Sequence, residues 1–131
     1  MILRKLSIEL KILIGEYPVV TILGPRQSGK TTLAKEFLDG YEYSNLEDPS
    51  VRSYAEEDPK AYLSQFKSRV IIDEIQRVPN LLSYIQIIVD EEKLNGKFVL
   101  TGSHQLQLQE AISQSLAGRT ALLRLLPLSI S

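Results

Sequence analysis

The run Val19-Val20-Thr21-Ile22-Leu23 passes directly into Gly24-Pro25-Arg26-Gln27-Ser28-Gly29-Lys30-Thr31, and that junction constrains the fold more than any other part of the chain. An uninterrupted, β-branched apolar run is the pattern of a strand buried on both faces of a parallel sheet. The octapeptide has the form G-x-x-x-x-G-K-[ST]. Its glycines permit tight curvature, so successive backbone N–H groups can wrap phosphate oxygens, and a helix starting there adds its positive end. Thr32-Leu33-Ala34-Lys35-Glu36-Phe37-Leu38 supplies that helix, with Leu33, Phe37 and Leu38 on one face and Asp39-Gly40 closing it. Strand, loop and helix are in register. Lys30 is then expected to reach the β/γ-phosphates of a nucleotide and Thr31 to offer its hydroxyl to Mg²⁺. The nucleotide contacts are expected from Gly24, Pro25, Arg26, Gln27, Ser28, Gly29, Lys30, Thr31 and Thr32.

The rest of the chain alternates strands and helices around this unit. Leu3, Leu6, Leu10 and Leu13 recur at helical spacing, so residues 2 to 14 read as an amphipathic helix that Gly15 and Pro18 separate from the first strand. Tyr41 to Leu46 alternates as a second strand before Glu47-Asp48-Pro49-Ser50 punctuates the chain. Residues 51 to 67 read as one broken or two short helices divided near Asp58-Pro59, with Tyr62, Leu63 and Phe66 as the buried stripe. Arg69 to Glu74 is a third strand. After Pro79-Asn80, a helix carries Leu81, Leu82, Ile85, Ile88 and Val89 on one face and stops at Asn95-Gly96. Lys97 to Thr101 is a fourth strand, 105 to 117 a helix, and Thr120 to Leu126 a fifth strand. Such alternation predicts an α/β fold with a parallel sheet, helices on both faces and the polar motifs gathered on one edge.

Val70-Ile71-Ile72-Asp73-Glu74 is an apolar strand that delivers a carboxylate to the edge where the phosphate loop sits. Asp73 is expected to orient Mg²⁺ together with Thr31, and Glu74 to polarise a water for in-line attack on the γ-phosphate. Thr101-Gly102-Ser103 ends the fourth strand with small polar groups, either turn formers or hydroxyls directed at the attacking water or γ-phosphate. Arg119 lies just before the fifth strand. It reads either as a solvated or ion-paired arginine, or as a positive charge for the phosphoryl transition state in its own site or a neighbour's. His104, the only histidine, has no metal-ligand partner in the pattern and reads as a surface turn residue. Glu47-Asp48 and Glu56-Glu57-Asp58 read as solvated faces, because no regular spacing converges them.

Gly24 to Leu33, Asn45-Leu46-Glu47-Asp48-Pro49, Ile71 to Pro79, Leu100-Thr101-Gly102-Ser103 and Ser115 to Arg119 together resemble the AAA-type P-loop ATPase family of bacteria and archaea. In that family the ATPase core precedes a separate C-terminal domain of unknown function. The resemblance implies a three-layer α/β sandwich with a five-stranded parallel sheet in the order 5-1-4-3-2, a P-loop NTPase with an AAA-like core. It implies Walker A roles for Lys30 and Thr31 and Walker B roles for Asp73 and Glu74. It also implies sensor 1 at Ser103, with Thr101 the nearby candidate, and an arginine finger at Arg119. His104 stands where a Gln or Asn is the family's expectation. Proteins of this kind continue past the point where Leu126 to Ser131 ends this chain, so the expectation is an ATPase core alone, without lid or C-terminal domain, whose turnover needs those parts.

Composition narrows the partners. A chain of 131 residues with 44% hydrophobic content supports one compact two-sided core. Fifteen Lys and Arg against sixteen Asp and Glu leave a net charge of −1, so no basic footprint supports nucleic-acid binding. Cysteine is absent, which removes disulfides and thiolate metal sites, and Glu9 and Lys11 interrupt the one N-terminal stretch that resembles a signal peptide. A cytoplasmic protein without a membrane span is expected, with ATP and Mg²⁺ as cofactors, ATP and ADP as ligands, a possible homo-oligomer formed through Arg119, and partner choice residing in a further domain. The leading reading is ATP hydrolysis that moves a partner domain or subunit. A non-hydrolysing nucleotide-dependent interaction module is the alternative. A P-loop kinase is less favoured, because neither an acceptor site nor an arginine-rich lid is visible.

Overall fold

The computed structural model describes residues 2–25 and 29–125. Twelve elements follow in the order α1 (Ile2–Ile14), β1 (Val19–Leu23), α2 (Lys30–Phe37), β2 (Glu42–Asn45), α3 (Pro49–Glu57), α4 (Pro59–Ser64), β3 (Val70–Asp73), a 3₁₀ turn (Ile75–Arg77), α5 (Leu81–Glu92), β4 (Phe98–Gly102), α6 (Leu106–Leu116) and β5 (Thr120–Arg124). The five strands form one sheet in the order β2-β3-β4-β1-β5, with every neighbouring pair parallel. That is the order 5-1-4-3-2 read from the other edge.

Alternation along the buried strands sorts side chains into two layers. Val19, Leu23, Val70, Ile72, Phe98 and Leu100 pack against buried residues of α3, α4, α5 and α6 on one face. Val20, Ile22, Ile71 and Val99 meet Leu10 of α1 and Leu33 and Ala34 of α2 on the other. Both faces are therefore apolar and covered, which is why these strands read as continuous hydrophobic runs. Leu10 is fully buried, so truncating it to Ala would cost on the order of 2–5 kcal/mol. Among the described residues no helix is long and apolar enough to cross a membrane.

Several boundaries differ from the sequence expectation for local reasons. The two short helices do divide at Asp58-Pro59, but the first starts at Pro49, because proline suits a first helical turn and Asp48 caps it by accepting from Ser50 N at 2.9 Å. Asp58 caps α4 in the same way, accepting from Ala61 N at 3.1 Å. These two acids of the expected solvated faces are thus helix caps. The second strand is trimmed to Glu42–Asn45, and the fifth ends at Arg124, with Leu126 outside the described residues.

Parallel pairing puts all strand C-termini on one edge. Leu23 pairs with Gly102 and Asn45 with Asp73, and Gly24 N extends the ladder to Gly102 O at 3.0 Å. The phosphate loop, the acid pair and the end of β4 are brought together by topology alone.

Candidate functional site

The loop enters α2 through Gly29, whose φ of 86° lies in the left-handed region that glycine adopts without a Cβ clash. Lys30 opens the helix, 5% exposed. Its Nζ donates to Pro25 O at 3.3 Å and lies 3.7 Å from Glu74 Oε2. A buried ammonium held by one carbonyl and one carboxylate is a cation placed beside the loop. Thr31, one residue on, donates its hydroxyl toward both Asp73 oxygens, at 3.2 and 3.1 Å.

Asp73 is 3% exposed and collects three hydroxyl donors. Besides Thr31 these are Tyr43, whose OH reaches Oδ2 at 2.5 Å, and Thr101, whose hydroxyl reaches Oδ1. A buried carboxylate requires such partners, and their convergence fixes its oxygens in place. Burial, the hydrogen bond to Asp73 and the negative charge of Asp73, Glu74 and Glu47 together push the Tyr43 phenol well above the usual tyrosine range. Tyr43 thus stays a donor through ordinary pH. Lys35 of α2 sits over its ring, 4.4 Å from the centroid.

Glu74 adopts φ 63°, ψ 52°, a left-handed conformation rare for a residue with a Cβ. Its N–H donates to Thr101 Oγ1 at 3.0 Å, so Thr101 serves both acids at once. Its carboxylate lies between Lys30 and Gln76, accepting from Gln76 Nε2 at 3.2 Å. Ser103 N donates to the same glutamine's Oε1 at 3.3 Å, while the Ser103 hydroxyl oxygen is buried with no hydrogen-bond partner among the described residues. Thr101, in β4, is committed to the two acids, whereas Ser103, just past the strand, is not.

Arg119 is not brought to this site. It precedes β5, whose Thr120 pairs with Val19 at the start of β1, so it lies on the opposite sheet edge. At about 3.3 Å per residue, β1's five residues separate the two edges by on the order of 15 Å. There Arg119 forms a two-pronged pair with Asp90 of α5, Nε to Oδ1 at 2.7 Å and Nη2 to Oδ2 at 2.9 Å, and donates Nη1 to Ala117 O at 3.1 Å. The hydrogen bond from Arg119 holds the Asp90 carboxyl below the usual range. The structure therefore does not bring Arg119 to the loop and the acid pair. His104 is exposed in the irregular stretch after β4, its Nε2 3.4 Å from Leu125 O. Arg26, Gln27 and Ser28 lie outside the described residues.

Sequence reasoning passed over Tyr43 and Gln76. Tyr43 owes its place to the β2–β3 register, in which Asn45 pairs with Asp73 and the residue two before Asn45 shares the face of Asp73. Gln76 lies inside the Ile71 to Pro79 motif, but its contacts depend on a single 3₁₀ turn.

Thr31 and Asp73 supply one hydroxyl and one carboxylate, hard oxygen donors of the kind Mg²⁺ prefers when phosphates and waters complete its shell. Among the described residues no cluster of three or more His, Cys, Asp or Glu is arranged to hold a metal by itself. The donor set fits a nucleotide-borne Mg²⁺.

This arrangement of loop, parallel sheet and strand-end acids defines a P-loop NTPase core of AAA type. The family model described as an AAA domain matches residues 16–131, and the chain belongs to that family. Uncharacterized proteins of Mycobacterium bovis and Mycobacterium tuberculosis are each 34% identical over 131 residues, covering 97% of this chain but 29% of their own length. The chain therefore spans under a third of these relatives. Among solved structures, the Walker-type ATPase of Pyrococcus abyssi superposes with a TM-score of 0.58 at 19% identity, over 92% of this chain and 52% of that one. AMPPCP-bound DnaA from Aquifex aeolicus gives 0.54 at 18%, over 92% and 44%. Drosophila ORC bound to DNA gives 0.61 at 16%, over 96% and 43%. At these identities the likeness shows the shared fold.

Proposed function

We propose that the chain binds ATP with Mg²⁺ and hydrolyses it, converting nucleotide state into movement of a partner domain or subunit. The observation that carries this reading is the meeting of Thr31 with Asp73, at 3.1 and 3.2 Å, beside the Lys30–Glu74 pair at 3.7 Å. A hydroxyl, a carboxylate, an ammonium and a second carboxylate converge next to a phosphate loop. The loop residues Gly24 to Thr32 cradle the phosphates, and Lys30 exchanges its carbonyl and carboxylate partners for the β/γ-phosphates.

Thr31 and Asp73 would hold Mg²⁺, which when bound neutralises charge on the phosphate oxygens. Glu74 accepts a proton from the attacking water as its oxygen bonds to the γ-phosphorus. The bond from that phosphorus to the bridging oxygen breaks, and ADP leaves with the electron pair. The Ser103 hydroxyl, unpaired among the described residues, orients the water or γ-phosphate. Arg119, at the far edge, contributes to the site of a neighbouring copy in a head-to-tail assembly, where its exposed ion pair with Asp90 is weak enough to be exchanged for phosphate. The further length of the relatives is where partner choice would reside.

Phosphate release measured beside fluorescent mant-ATP binding tests the hydrolysis step. Glu74→Gln should retain binding and lose turnover by about a hundredfold or more. Binding accompanied by no turnover in the unaltered chain would leave the interaction-module reading standing instead.

A further inference from the structure

We propose that Gln76 is a positioning residue that clamps the Glu74 carboxylate and ties it to the end of β4. The proposal rests on the reading of Glu74 as proton acceptor. Gln76 lies in the 3₁₀ turn that follows the acid pair, and its amide is used at both ends: Nε2 donates to Glu74 Oε1 at 3.2 Å, and Oε1 accepts from Ser103 N at 3.3 Å. The orientation of the amide follows from its neighbours. Reversed, it would set a carbonyl against a carboxylate and an NH₂ against an N–H.

The turn carrying Gln76 is itself held. Ile75 is fully buried, Arg77 N donates to Glu74 O at 3.0 Å, and Val78 N to Ile75 O at 3.1 Å. The amide also reaches Ser103 across a bare backbone. A Cβ on Gly102 would stand 3.3 Å from Gln76 Oε1, 3.2 Å from Ile75 Cγ2 and 2.5 Å from Leu108 Cδ2, so glycine there keeps the crossing open.

Glu74 has two side-chain neighbours in this network, Lys30 on Oε2 and Gln76 on Oε1. Phosphates that draw Lys30 away free Oε2, the oxygen that would take the proton. Gln76 keeps hold of the other oxygen and stops the carboxylate from rotating out of line. Through the same amide, displacement of the Ser103 backbone reaches Glu74. The group that would accept water's proton and the strand end that would face the γ-phosphate move as one.

The test uses the intact chain and a readout independent of turnover. In ¹H–¹⁵N spectra, Glu74→Ala should shift the Gln76 side-chain NH₂ signals and also the Ser103 amide, which the Glu74 side chain does not bond. With Gln76→Ala already in place, the same Glu74→Ala change should leave the Ser103 amide where it is. Gln76→Glu keeps shape and the bond to Ser103 N but sets carboxylate against carboxylate. It should lower kcat about tenfold or more with the mant-ATP Kd within about twofold of the wild-type value. A Ser103 amide that ignores Glu74→Ala, one that still responds after Gln76→Ala, or a Gln76→Glu chain turning over at the wild-type rate would each overturn the clamp. Turnover untouched by Glu74→Gln would instead defeat the reading of Glu74 itself.

Discussion

Two hydroxyls at the end of β4 lie two residues apart and should answer deletion in opposite ways. Thr101 is fully buried. Its hydroxyl donates to Asp73 and accepts from Glu74 N at 3.0 Å. Thr101→Val keeps the shape and removes both bonds. The buried Asp73 carboxylate then loses one of its three donors, a charge-assisted bond worth about 1.5–3 kcal/mol, and the Glu74 amide is left without its acceptor at a cost of ~1 kcal/mol. Tyr43 and Thr31 still hold Asp73, so the net loss should be about 2–4 kcal/mol. At ~3 °C per kcal/mol for a domain of this size, the melting temperature should fall by about 6–12 °C. Ser103→Ala removes a hydroxyl oxygen that has no hydrogen-bond partner among the described residues, so stability should stay within about 0.5 kcal/mol of wild type while turnover drops. Urea unfolding followed by circular dichroism measures both. Equal stability of Thr101→Val and wild type, or a Ser103→Ala loss matching that of Thr101→Val, would refute the division of labour between the two.

Arg119→Ala should leave nucleotide affinity within about twofold, because Arg119 lies on the sheet edge opposite the loop, while lowering turnover of an assembled form about a hundredfold or more. Weakened binding in the isolated chain would contradict that placement. Tyr43→Phe tests the raised phenol. Folding raises its pKa above the unfolded value of about 10, so the phenol's contribution is fully present below that pH and is lost as pH rises through the folded value. The stability advantage of wild type over Tyr43→Phe should therefore be flat from pH 7 to about 10 and shrink above it; an advantage that grows with alkalinity would reverse the assigned sign.

What the sequence disclosed depended on how local each signal was. The β1–loop–α2 unit was legible because two periodicities and a glycine pattern coincide within about twenty residues. The acid pair was legible because Val70-Ile71-Ile72 is a short β-branched apolar run of the interior-strand kind, leading straight into two carboxylates. Thr101, Tyr43 and Gln76 gain their roles from strand order and from one 3₁₀ turn, neither of which has a periodic signature. Asp48 and Asp58 looked like solvated charge, though each stands directly before a proline that begins a helix, a capping signal in its own right. The placement of Arg119 was derivable: in a parallel sheet a residue before a strand lies on the edge opposite the residues that follow strands.

In the proposed function the Gly24 to Thr32 loop holds the nucleotide, and Lys30 is its essential cation. Equilibrium titration of mant-ATP with Mg²⁺ into wild type and Lys30→Ala measures that dependence. Wild type should bind, and Lys30→Ala should bind about a hundredfold or more weaker; equal affinity in the two chains would rule out Lys30 as the phosphate cation.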